Sequence, residues 1–509
     1  MGPASTTSRR EFLARGGALA ALASACRGGT PSFRPMGGGE LVELTATEAV
    51  RALREGDVTA EDYASALLAR CEAAKALNAF ISLEPARVLE AARAADRRRA
   101  SGVPLPPLHG LPIPIKDSIN TRDLPTTGGT KALRNFHPRE DAPLVRRLAD
   151  AGGILMGKTN LHELSFGWTS NNAAFGAVRN PYDPTRIPGG SSGGTAAAVA
   201  ARMAPLGVAA DTEGSIRVPA AMCGICGFRP TTGRYPTTGV VPISPLFDQI
   251  GPHARSVADL VLFDRVASHD AAAIAPTALR GARIGVDRNY FFEKLDPEVA
   301  RVAEEALRRL REAGAVLVEA QVHDLARFDE RITDVVQYHD VAPMLARYLE
   351  ESGAGLDLDQ LLEAAGADVR RELEVYALPG GRMAPSEEAY RAARDVERPA
   401  LRKELARYFR ENEVSALIFP ATLVPALPIG QESELSIGGE TVAFATAMSR
   451  NIAPGSTAGI PGLVLPGGLT RDGLPVGLEL DAPEGADREL LALGAAVERV
   501  LGHLPPPRL

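Results

Sequence analysis

The chain is poor in cysteine, has no excess of positive charge, and opens on an apolar run too short to cross a bilayer. Each shortage excludes a class of function. Four cysteines in 509 residues, Cys26, Cys71, Cys223 and Cys226, include one pair at C-x-x-C spacing, Cys223-Gly-Ile-Cys226. That spacing suits zinc or thiol–disulfide chemistry, but no second cysteine pair and no histidine at ligand spacing accompanies it, so a structural role fits better. No metal or cofactor is expected. Lysine and arginine number 56 against 63 acidic residues, a net charge of −7, which leaves no basic surface for nucleic acid. The stretch 16-GGALAALASA-25 is far shorter than a membrane span. Histidine is also scarce late in the chain, where only His323, His339 and His503 are available to a serine–histidine hydrolase.

What is present reads as a globular protein with a large core: 45% hydrophobic and 23% charged residues, with 50 glycines and 39 prolines scattered as at strand–loop–helix junctions. Ser8-Arg9-Arg10-Glu11-Phe12-Leu13 followed by that short apolar run has the form of a twin-arginine export signal over residues 1–25. Cleavage after Ala23-Ser24-Ala25 would leave Cys26 first, a position for a lipid anchor, with 26–40 as a flexible tether. The expected location is therefore periplasmic, either free or anchored. The folded domain is expected over 41–505. Thr45-Ala-Thr-Glu48 and Thr59-Ala-Glu-Asp62 are helix starts, and a third helix runs from Pro85 to Ala100. Apolar strands follow within 103–117, at Ile154–Gly157, Ile284–Val286 and Ala416–Phe419, alternating with helices such as the one after Pro143. This alternation predicts an α/β fold, a single large domain whose central mixed β-sheet carries helices on both faces. Residues from about 295 to 412 are charged and helical in period, and are expected to form a helical layer partly covering the site.

The chemistry concentrates in 188-PGGSSGGTAAAVAARMAPLGVAADTEGSIRVPAAMCGICGFRPT-231, preceded by 111-LPIPIKDSIN-120. Two glycine-flanked serines, Ser191 and Ser215, and Lys116 among Pro112, Ile113, Pro114 and Ile115 can supply a nucleophile, a relay and a base without histidine. Desolvation would lower the Lys116 pKa from its ordinary value of roughly 10.4 so that it can accept a proton. The consecutive N–H groups of Thr212, Glu213, Gly214 and Ser215 are candidates for an oxyanion hole. The same letters admit a rival. Gly190-Ser191-Ser192-Gly193-Gly194 satisfies G-x-S-x-G, which would make Ser192 the nucleophile of an α/β-hydrolase-type esterase. That elbow needs an apolar strand before it, whereas 179-RNPYDPTRIP-188 is polar and broken by proline.

These segments resemble the amidase signature family over roughly 41–265 and 415–500. The resemblance implies a carboxamide hydrolase with Ser215 as nucleophile, Ser191 (its peptide bond cis) as relay and Lys116 as base. It also implies that the Cys223–Cys226 stretch binds no metal. Glu213 departs from the pattern, since the family commonly has glycine there. Its side chain either contacts substrate or points to solvent. Segments such as 160-NLHELSFGWTSNN-172 and 450-RNIAPGSTAGIPGLVLPGGL-469 look like indoleacetamide and mandelamide hydrolases, which take a primary amide beside an aromatic ring. Phe166, Trp168 and Phe247 then either wall an aromatic pocket or belong to the core. The expected partner is a small amide, with a homodimer also admitted. The alternative within the family is the glutaminase component of a tRNA-dependent amidotransferase, which requires a partner chain.

Overall fold

The computed structural model describes Met1 and residues 37–270 and 272–508, of which Gly38–Leu509 makes one compact unit. Arg9-Arg10, the apolar stretch 16–25 and Cys26 lie outside the described residues.

Local signals place the first helices. Thr45 caps Ala46–Glu55: its Oγ1 accepts from Glu48 N while Glu48 Oε2 accepts from Thr45 N, a reciprocal pair at 3.3 and 2.9 Å. Thr59 caps Ala60–Ala73 through its Oγ1 alone, which accepts from Asp62 N at 3.0 Å. Each such cap contributes about 1 kcal/mol. Pro85 opens Pro85–Ala100, where its missing N–H costs no hydrogen bond.

The described residues hold thirteen strands in chain order: β1 Phe80–Leu83, β2 Pro112–Lys116, β3 Ile154–Thr159, β4 Leu206–Asp211, β5 Cys226–Arg229, β6 Gln249–Ala254 and β7 Arg283–Val286, then β8 Val316–Glu319, β9 Ala416–Pro420, β10 Leu435–Ile437, β11 Glu440–Val442, β12 Gly462–Leu469 and β13 Pro475–Asp481. Eleven form one sheet in the order β1-β3-β2-β4-β6-β5-β12-β13-β9-β7-β8, and β10 pairs with β11 apart from it. The sheet is mixed. β3-β2-β4 and β9-β7-β8 run parallel, and the strands between them are antiparallel. Helices cover both faces. Leu463 and Val464 point to opposite sides of β12. Leu463 meets Gly494 of the helix Asp487–Leu501, while Val464 clusters with Arg217–Cys223. Because both faces are covered, every residue of β2 and β4 is buried.

Two features position the site. β2 and β4 are parallel neighbours, so their carboxyl ends, at Lys116 and Asp211, open on one edge of the sheet. The helix Gly193–Ala200 is buried all round and made of small residues because it lies directly against the chain that precedes it. A Cβ on Gly194 would lie 2.3 Å from Asn160 O and 2.6 Å from Ala79 O. The segment 297–411 contributes six helices besides β8 at the sheet edge. The longest, Leu325–Ser352, passes over the edge where Lys116 and Asp211 end.

Gly194→Ala sets a methyl against two backbone carbonyls that cannot rotate aside. It is expected to destabilise the fold by about 1–3 kcal/mol, read as a lowered urea midpoint. An unchanged midpoint would show that this helix can move away from Asn160.

Candidate active site

Lys116 is fully buried, and its Nζ lies 2.7 Å from Ser191 Oγ and 3.5 Å from Ala210 O. Burial pushes its pKa down to about 7, against the weaker opposing pull of Asp211 and Asp248. Ser191 is held by its main chain: its carbonyl accepts from His162 N at 3.0 Å and from Ser170 Oγ at 3.2 Å, and the Gly190–Ser191 peptide is cis. Asp117, next in the chain, turns to the other face of the strand. There it meets Lys158 at 3.1 Å and accepts from Thr127. Lys158 Nζ also donates to Ile119 O, Pro125 O and Thr126 Oγ1, tying down the loop that leaves β2.

Ser215 sits one turn beyond β4 in a loop shaped by Asp211. Asp211 Oδ1 accepts from Gly214 N at 2.8 Å and Oδ2 from Ile216 N at 2.9 Å, and both oxygens are gripped by Arg217, with Arg229 on Oδ1. Burial alone would raise this carboxyl, but the two guanidiniums outweigh it and hold it well below the usual range. Arg217 also reaches Glu479 Oε1 at 2.5 Å and Ser456 Oγ. Gly214 takes a φ of +122° that side chains disfavour. This clamp corrects one expectation. Gly214 N–H is spent on Asp211, so of the four proposed oxyanion donors three are left. Among the described residues no protein acceptor takes the N–H of Thr212, Glu213 or Ser215.

Ser215 and Thr212 stand between two spaces. Inward is a cavity barely large enough for a water, walled by Lys116, Ser191, Asp211 and Asp248. Outward is a chamber of about 280 Å³ lined by Phe166, Trp168, Glu213, Gln337, Tyr338 and Phe444 among others. Phe166 and Trp168 are thus in the wall. Phe247 is not: it is fully buried in the cluster with Phe291, Tyr408 and Phe419, because the turn Ser244–Phe247 folds its ring under the sheet. Ser192 is also turned away. Its Oγ donates to Ala210 O at 3.0 Å and lines neither space, which removes it as a nucleophile. None of His323, His339 and His503 lines either space; His339 stacks on Tyr390 with ring centroids 3.7 Å apart. Glu213 faces the chamber rather than solvent, its Oε2 accepting from Gln337 Nε2 at 2.5 Å. Cys223 and Cys226 are buried free thiols, Cys223 donating to Pro188 O. Sequence reasoning missed Lys158, His162 and the chamber residues of Leu325–Ser352. Lys158 carried a usable signal, since it sits in a strand with apolar neighbours just as Lys116 does.

Comparison with known proteins identifies the family. The Amidase family's profile matches residues 62–491. The chain is 40% identical over 463 residues to an indoleacetamide hydrolase of Agrobacterium vitis, covering 91% of this chain and 98% of that one. It is 39% identical over 497 residues to a glutamyl-tRNA(Gln) amidotransferase component of Chloroflexus aurantiacus, covering 92% and 99%. The peptide amidase of Stenotrophomonas maltophilia superposes with a TM-score of 0.78 at 29% identity, covering 92% and 98%. With a sheet-edge lysine, two loop serines and an amide-sized chamber in one place, the chain belongs to the Amidase family and is a hydrolase of linear carboxamides.

Proposed function

We propose that Ser215 attacks the amide carbonyl while its proton passes through the Ser191 hydroxyl to neutral Lys116. The observation that carries this reading is the buried 2.7 Å contact between Lys116 and Ser191 at the back of the cavity that Ser215 closes. A lysine at its ordinary pKa is neutral in only about one molecule in 2,500 at pH 7, whereas one at about 7 is neutral in half. The oxyanion that forms is met by the free N–H groups of Thr212, Glu213 and Ser215. When the tetrahedral adduct collapses, the proton on Lys116 returns through Ser191 to the leaving nitrogen, the C–N bond breaks and ammonia departs, leaving an ester on Ser215. Water, deprotonated by the same chain, then cleaves that ester to release the carboxylate and restore the serine.

The substrate class we infer is a primary amide carried beside an aromatic ring. Phe166, Trp168, Tyr338 and Phe444 give the chamber apolar faces on which a ring can lie, and the identity to an indoleacetamide hydrolase supports the same class. A second reading, a glutaminase working with a partner chain, draws on the identity to the amidotransferase component. Ammonia release from indoleacetamide or phenylacetamide by the purified chain alone favours the first. Release only from glutamine, and only with a co-purifying partner, favours the second.

Ser215→Ala removes the attacking oxygen and little else, so kcat is expected to fall about 10,000-fold with Tm unchanged. A fluorophosphonate should label Ser215 in the native enzyme, and a label found on Ser192 by peptide mapping would overturn the assignment.

Lys116→Met fills the same space without a titratable group and should be as damaging as Ser215→Ala. The sign of the pH effect follows from a lysine that works only when neutral. In the native enzyme kcat/KM is expected to rise with pH, reach half its plateau near the pKa of about 7 and stay level above it. An activity that declines as pH rises from 6 to 8 would contradict a lysine base.

A further inference from the structure

The chamber in front of Ser215 is lined by five carboxylates, Glu213, Asp334, Asp368, Glu372 and Glu432, and by no lysine or arginine. Some buried or half-buried carboxylates elsewhere are met by arginine, as at Asp264 and Glu397. Here every partner is neutral. Glu213 accepts from Gln337, Glu372 from the Tyr338 hydroxyl, and Glu432 from Asn171 Nδ2 at 3.3 Å. Asp368 lies 3.8 Å from His162 Nε2, on an imidazole that burial pushes down to about 4 and so keeps uncharged. Asp334 has neither a hydrogen bond nor an ion pair among the described residues. Glu213 feels this crowding. Burial and then repulsion from Asp334 and Asp329 push Glu213 up to about 8, while Asp334, Asp368 and Glu432 are exposed. A positive charge arriving in the chamber would relieve the repulsion and the burial cost at Glu213.

A separate observation points to a ligand in the same space. Ser165 Oγ is buried and has no hydrogen-bond partner, yet Ser165 lines both the chamber and the inner cavity. A polar group is left without a partner where a substrate would lie. The five carboxylates do not converge as metal ligands: no group of three or more metal-binding side chains occurs among the described residues. They are spread along a wall that also presents Phe166, Trp168 and Tyr338, the surroundings that favour an organic ammonium over a bare ion.

We propose that the amide cleaved at Ser215 carries a protonated amine, and that Asp334 and Glu213 bind this cation. The proposal rests on the amide-hydrolase reading of Ser215 and narrows it from neutral arylacetamides to cationic ones. No covalent step changes; the ammonium stays on the acyl part and leaves with the carboxylate.

The test sets two amides of equal size against each other, 4-(aminomethyl)phenylacetamide and 4-(hydroxymethyl)phenylacetamide, at low salt. The native enzyme should favour the amine in kcat/KM by tenfold or more. That ratio should fall at least tenfold in Asp334→Asn, and fall also in Glu213→Gln. A native ratio at or below one, or a ratio unmoved in Asp334→Asn, overturns the proposal while leaving the amidase reading in place. A second measurement needs no turnover: benzylamine should protect Ser215 from fluorophosphonate labelling at a concentration at least tenfold lower than benzyl alcohol. If neither amide is cleaved and benzylamine still protects preferentially, the cation site stands and the arylacetamide class falls. Equal protection by the two compounds counts against the cation site.

Discussion

Everything at this site depends on keeping the Lys116 amine out of water. An ammonium is far better hydrated than an amine, so a side chain with no exposure holds its proton loosely. A drop from the ordinary value to about 7 corresponds to roughly 4–5 kcal/mol of lost preference for the charged form. The fold meets that cost with a strand buried on both faces and a small-residue helix packed close beside it. Gly194 and the alanines after it let the segment carrying Ser191 approach the end of β2. A larger side chain there would push Ser191 away from the amine and let water in.

The same edge of the sheet holds a second, oppositely designed piece of electrostatics. Asp211 is as buried as Lys116, yet it stays charged because Arg217 and Arg229 bind it directly. Its two oxygens fold residues 211–216 into a loop that leaves three N–H groups free beside Ser215. Removing one member would strand a buried charge, a loss of about 3–5 kcal/mol. One carboxylate with strong partners thus fixes the geometry, while one lysine without a strong partner is left as the proposed base. The two are close enough for Asp211 to pull slightly on Lys116, and burial still prevails.

Much of this was legible in the letters. Thr45, Thr59 and Pro85 announced their helices because caps act over three or four residues, and β2, β3, β7 and β9 showed as short apolar runs. Lys116, Ser191 and Ser215 stood out because lysine among prolines and isoleucines, and serine among glycines, are rare local environments. What stayed hidden depends on contacts distant in sequence. Phe247 and Phe166 look alike as letters, but one ring folds under the sheet and the other faces the chamber. Gly214 N–H looked free until Asp211, three residues earlier, was seen to curl back on it. Glu213 could be read as solvent-facing because its neighbour Gln337 comes from a helix more than a hundred residues away.

The central claim is that Lys116 is neutral near pH 7 in the resting enzyme. The chain has six lysines, few enough to follow individually by heteronuclear NMR of protein labelled at the lysine side-chain nitrogen, with Lys116→Arg used to assign the signal. The account predicts that the Lys116 amine titrates near 7 in the native protein, and nearer to the ordinary lysine value when urea unfolds it. A Lys116 signal that stays charged up to pH 10 in the folded protein would contradict the account, because no neutral amine would then be present to accept the serine proton.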